Sequence, residues 1–96
     1  MTLRIDKILD GKFTILRLVG ELRSNELGEL RPHIEGAGSN VKLDLQELSI
    51  VDIGVVRFLI GCESSGIEIV FCPPYVREWI NREASRTRQD EEGPEL

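Results

Sequence analysis

Two strand-length runs, residues 3–9 and 12–19, flank Asp10-Gly11, a dipeptide favoured in tight turns, so the chain is predicted to open with an antiparallel hairpin. Arg17 interrupts the second run, which implies that one sheet face is at least partly wet. Ser24 is an N-cap candidate for a helix beginning at Asn25. Leu27, Leu30 and Ile34 share one face of that helix, and Glu26 lies near the positive end of its dipole. Pro32 should kink or shorten it. Residues 36–40 then turn the chain into a third strand, where Val41, Leu43 and Leu45 alternate with Lys42, Asp44 and Gln46. Such alternation predicts a sheet covered by helices on one side only.

Asp52 stands at a short polar step before a run containing Val55, Val56, Phe58, Leu59, Ile60 and Cys62, apolar over most of a helical circumference. This is predicted to be the central helix of the core, with Asp52 as its N-cap and Arg57 as the exception in its sequence. Gly66 suits a left-handed C-cap, and residues 67–72 read as a fourth strand. Pro73-Pro74 opens a last helix in which Val76, Trp79 and Ile80 share a face and Glu78 stands four residues before Arg82. Residues 86–96 offer almost nothing apolar to anchor them. The expectation is a single folded unit over residues 1–85 and a disordered acidic tail over 86–96.

Helices connecting strands two, three and four make those strands parallel, so their C-terminal ends meet at one edge together with the helix starts. That edge collects Arg23, Ser24, Asn25, Ser49, Asp52, Ile53, Gly54, Pro73, Pro74 and Tyr75, and it is the candidate site.

Charge and composition narrow the chemistry. A net charge of −5 over 96 residues disfavours sequence-independent nucleic-acid binding. No apolar run approaches the ~20 residues needed to cross a bilayer. The opening residues show no cleavable signal pattern, so the expected location is cytoplasmic. Cys62 and Cys72 have neither redox spacing nor a histidine cluster and read as small buried hydrophobes; no metal or cofactor is expected. His33 has no serine or carboxylate at catalytic spacing, and no nucleophile, base and orienting group fall together, so an enzyme is not expected.

The order of motifs resembles that of the STAS domain, the bacterial fold of anti-sigma factor antagonists. Leu18-Val19-Gly20-Glu21-Leu22 is similar to the family's L-x-G-E-L-D, residues 41–45 to its V-x-L-D-L strand, and Asp52-Ile53-Gly54-Val55-Val56 to its D-S-S-G-L step. The resemblance extends through residues 66–77. It implies an α/β domain with a mixed four-stranded sheet, hairpin first and parallel strands after, and about three helices mainly on one face. It also implies a regulatory protein-binding module in signal transduction, whose partner is an anti-sigma factor kinase or another regulatory or transport subunit. The family's phosphorylatable serine falls on Gly54, which has no hydroxyl, and the acid that follows G-E-L is Arg23 here. The implied module is therefore not switched by phosphate at the usual position. A nucleotide- or small-molecule-sensing domain is the competing class. Oligomeric state stays open.

Each candidate residue also has a purely structural reading. Asp52 can be only a cap, Gly54 can serve only close packing, and Arg23 can be a solvated surface arginine. Arg57 can lie along the surface or touch a partner. Trp79 is expected in the core, and Tyr75 is better placed for exposure.

Overall fold

The computed structural model describes residues 3–38 and 40–92. In chain order it contains β1 (Leu3–Asp10), β2 (Phe13–Glu21), α1 (Leu27–Gly36), β3 (Val41–Asp44), β4 (Leu48–Ile50), α2 (Ile53–Ser64), β5 (Glu68–Val70) and α3 (Pro74–Glu92). One turn of 3-10 helix, Ser24–Glu26, leads into α1.

β1 and β2 form the expected hairpin, paired from Leu3 opposite Gly20 to Asp10 opposite Phe13. The loop is thus Gly11-Lys12, one residue on from the dipeptide that signals it. Gly11 has φ 64°, the left-handed conformation that the first position of such a turn requires and that a side chain resists. β2, β3 and β5 run parallel, and the strand order is β1-β2-β3-β5. The sequence pattern predicts four strands, and the structure adds a short fifth. β4 pairs with the end of β2, Gly20 opposite Leu48 and Glu21 opposite Ile50, so it continues the lane that β3 begins along the same side of β2. The break between them has a local cause. Asp44 Oδ1 accepts the Gln46 N–H at 3.0 Å, and Leu48 N–H donates to the Leu45 carbonyl at 3.1 Å, which turns the chain out of the ladder and back.

The helices cover mainly one face. Leu16 and Leu18 of β2 and Val41 and Leu43 of β3, with Leu45 just after it, are buried against Val55, Val56, Leu59 and Cys62 of α2. Leu27 and Leu30 of α1 and Val76 and Ile80 of α3 complete this core, with Trp79 partly buried at its rim. The opposite face carries Arg17 and Lys42, as the strand alternation predicts. Asp44 also lies on that face yet is only 2 % exposed. Its carboxylate is 3.4 Å from Arg17 Nε on the neighbouring strand.

Two expected helix boundaries shift. Ser24 lies inside the 3-10 turn and does not cap it; Arg23 holds the extended cap position, and α1 begins only at Leu27. α1 passes through Pro32 and ends at Gly36. α3 runs to Glu92, past the boundary expected at residue 85. Helix propensity acts locally and needs no apolar anchor, and residues 86–92 are mostly good helix formers by sequence. Residues 93–96 of the expected tail lie outside the described residues.

If the segment beyond Arg86 adds no buried surface, ending the chain there should shift the melting temperature by less than about 4 °C, below the effect of ~1 kcal/mol in a domain of this size. A larger drop by calorimetry would show that the folded unit includes the end of α3.

Candidate functional site

The parallel strands deliver three chain segments to one edge: residues 22–26 after β2, 51–54 after β4 and 71–75 after β5. Backbone pairing ties the first two together, since Leu22 N–H donates to the Ile50 carbonyl at 2.9 Å.

Asp52 sits at the centre. It caps α2 as expected, with Oδ1 accepting the Val55 N–H at 3.0 Å. It also does something the sequence does not reveal: Oδ2 accepts the Ser24 N–H at 2.9 Å, and Oδ1 accepts the Ser24 hydroxyl at 2.8 Å. One carboxylate thus binds the start of α2 to the start of the α1 segment. Partial burial opposes its ionisation, but the Ser24 and Val55 N–H groups, the Ser24 hydroxyl and the Gly54 N–H outweigh it and hold the Asp52 carboxyl below its ordinary value.

Gly54 acquires a reason from the same contact. A Cβ there would overlap the Ser24 hydroxyl oxygen and stand 3.1 Å from Ser24 Cβ. The Ser24 side chain therefore occupies the space that a side chain at position 54 would need. With Ser24 in this position, only glycine fits at 54 without displacing it.

The other predicted residues divide into two groups. Ser49 and Tyr75 join the edge, with the Ser49 hydroxyl donating to the Gly20 carbonyl and the Tyr75 hydroxyl donating to the Ser49 carbonyl, both at 2.9 Å. Ile53 is exposed at the first turn of α2, and Asn25 is exposed in the 3-10 turn. Arg23 turns to Glu21, with Nη1 2.8 Å from Oε1, while its N–H donates to Glu26 Oε1. Arg57 points elsewhere. Its Nε lies 3.0 Å from Glu83 Oε2, joining α2 to α3 through a carboxylate that is almost fully buried.

Two residues at this edge escape the sequence pattern. Ile50 ends β4 exposed, and Phe71 is 68 % exposed directly after β5. Phe71 also has φ 51°, a left-handed backbone that costs an aromatic residue roughly 1–2 kcal/mol. Neither position can be distinguished in sequence from the strand residues beside it. Away from this edge, an open groove of about 340 Å³ is lined by Arg31, Ile34, Phe58, Gly61, Cys62 and Ile67 among others. Arg31 lies 4.9 Å from the centre of the Phe58 ring there.

Burial pushes the Cys62 thiol up to about 11 and raises that of Cys72 as well, so both are protonated at neutral pH. Both are free. His33 is exposed in the last turn of α1. Among the described residues, no three His, Cys, Asp or Glu side chains group so as to hold a metal, and no helix is long and apolar enough to cross a membrane.

Gly54→Ala should destabilise the domain by ~1–3 kcal/mol through overpacking, and most of that loss should vanish in a Ser24→Gly background. Additive losses in a chemical-denaturation cycle would show that Ser24 does not fill the space at Gly54. Asp52 gives a pH test. Because its folded value lies below its unfolded one, its stabilisation is present above the ordinary value of 3.8 and is lost as pH falls through the lower folded value. Asp52→Asn should therefore flatten the loss of stability in that acid window, measured by urea unfolding at a series of pH values. Asp52→Ala should cost about 2–3 kcal/mol at neutral pH, because charge-assisted bonds to Ser24 are lost with the cap.

No protein-family model and no curated protein sequence matches this chain. The structure itself is a small α/β domain with a hairpin, parallel strands and helices mainly on one face, consistent in general terms with the STAS resemblance.

Proposed function

We propose that this chain is a non-catalytic regulatory module that binds another protein through the edge centred on Asp52, in the manner of a STAS-type antagonist that lacks the usual phosphoserine. The observation that carries the proposal is the distribution of exposed large apolar residues. Ile50, Ile53, Phe71 and Tyr75 are exposed at this edge, around the Ser24–Asp52 contact, whereas Leu9 and Phe13 flank the hairpin turn at the other end. Apolar anchors around a pre-organised polar centre are the composition of a protein-binding hot spot. The strained backbone at Phe71 points the same way, since an aromatic this exposed returns little burial to the fold that holds it.

Anion binding at the start of α2 has less support. The Val55 N–H is already bonded to Asp52, and the carboxylate itself repels a phosphate. The sensing alternative draws instead on the α1–α2 groove, whose volume falls in the range of small-ligand sites.

The test titrates the full chain calorimetrically against the products of the neighbouring genes, where the proposal expects an anti-sigma-type kinase or a transport subunit. Phe71→Gly should raise the melting temperature, by relieving the left-handed strain, while weakening binding about tenfold or more. Ile53→Asp should weaken binding comparably at nearly unchanged stability. With ATP present, mass spectrometry should find residues 49–58 unmodified. Binding that ignores both substitutions, or stoichiometric phosphate on Ser49, would overturn the proposal.

A further inference from the structure

β1 is the outer strand of the sheet. It pairs with β2 along its whole length and, among the described residues, has no strand on its other side. Sheet edges are guarded by a proline, a bulge, short length or charged side chains, because unpaired N–H and C=O groups accept another strand. β1 has none of the first three, since Leu3–Asp10 stays in unbroken register with β2; its guard is charge, in Arg4, Asp6, Lys7 and Asp10, with Lys7 on the Leu16 side of the sheet. Such charges exclude every register in which like meets like and admit one in which they pair. The opposite edge, β5, spans only Glu68–Val70.

We propose that a second copy of this chain adds to the β1 edge, antiparallel, forming a closed dimer with one continuous sheet and Ile5 on the two-fold axis. This surface is separate from the edge centred on Asp52, and the proposal does not depend on the reading given to that edge.

Symmetry and charge select the register. A closed two-fold dimer with a continuous sheet needs its axis perpendicular to the sheet, so residues facing each other across the junction point to the same face. Facing residues must then both be odd or both even in number, and the axis passes through a single position. Centring on Arg4, Asp6 or Lys7 sets that charge against its own copy. Centring on Ile8 sets Asp6 against Asp10 of the second copy, and centring nearer either end leaves too few pairs. Only Ile5 avoids like charges. There, Arg4 of each chain faces Asp6 of the other, Ile5 packs on Ile5, and Leu3 lies beside the alkyl stem of Lys7.

The side chains that this register needs are accessible. Arg4 and Asp6 are 69 % and 37 % exposed, and they already approach each other along the strand at 3.2 Å. Dimerisation exchanges that exposed neighbour contact for two symmetric cross-strand pairs and satisfies the outward backbone groups of β1.

Sedimentation velocity over a range of concentrations tests this with the full chain, Arg4→Asp, Asp6→Arg and the double exchange R4D/D6R. The average mass of the native chain should rise from one copy towards two. Each single exchange turns both cross-strand pairs into like-charge pairs and should weaken the dimer about tenfold or more, and the double exchange should restore it. Circular dichroism should show the same fold for all four proteins; because Asp6 is half-buried opposite Arg17 of β2, melting temperatures are compared as well, and any loss in Asp6→Arg should persist in R4D/D6R while the dimer returns. A native chain that stays monomeric to concentrations on the order of 1 mM would overturn the proposal. So would a dimer indifferent to the single exchanges, or one that the double exchange fails to restore.

Discussion

The Asp52 carboxylate is the contact on which the edge formed by the β2–α1 and β4–α2 connections depends. Parallel strands bring the β2–α1 and β4–α2 connections to the same end of the sheet, where both expose backbone donors that nothing in the strands can satisfy. Asp52 accepts from both connections, taking the Ser24 N–H, the Ser24 hydroxyl and the Val55 N–H. Three consequences follow from one side chain. α2 gains its cap, Ser24 is drawn away from capping α1, and the position of the Ser24 side chain requires glycine at 54.

That contact makes a surface with a fixed polar centre and an apolar surround. Ser49 and Tyr75 extend the bonding toward the start of α3, so the exposed Ile50, Ile53 and Tyr75 side chains project from connected backbone. A surface ordered before binding loses less conformational entropy when a partner arrives. Arg57 contributes differently: its pairing with Glu83 ties α2 to α3 beneath the edge, and its role is legible as a link between helices. The two proposed interaction surfaces are geometrically compatible. Pairing along β1 uses the side of the sheet, and an antiparallel two-fold turns the Asp52 edges of the two copies toward opposite ends, where each can be engaged separately.

Strand alternation, turn chemistry and helix capping act over a few residues, and these parts of the molecule were legible in the sequence alone. They gave the hairpin at Gly11, the buried stripe of Val41, Leu43 and Leu45, the cap at Asp52, the left-handed Gly66 and the parallel order that brings the site residues to one edge. Where helix propensity and apolar anchoring disagree, as from Arg86 onward, composition favoured disorder while the backbone is helical to Glu92.

Contacts between residues distant in the chain were decided only by the tertiary structure. Whether Ser24 caps its own helix or bonds to Asp52 depends on which donor reaches which acceptor across two crossovers, and no local pattern encodes that distance. The same holds for β4, which exists because the end of β2 offers free backbone groups where the chain passes, and for Phe71, whose left-handed backbone and exposure look in sequence like the end of an ordinary strand. Periodicity determines which face a residue takes. Only the assembled sheet determines what stands opposite it.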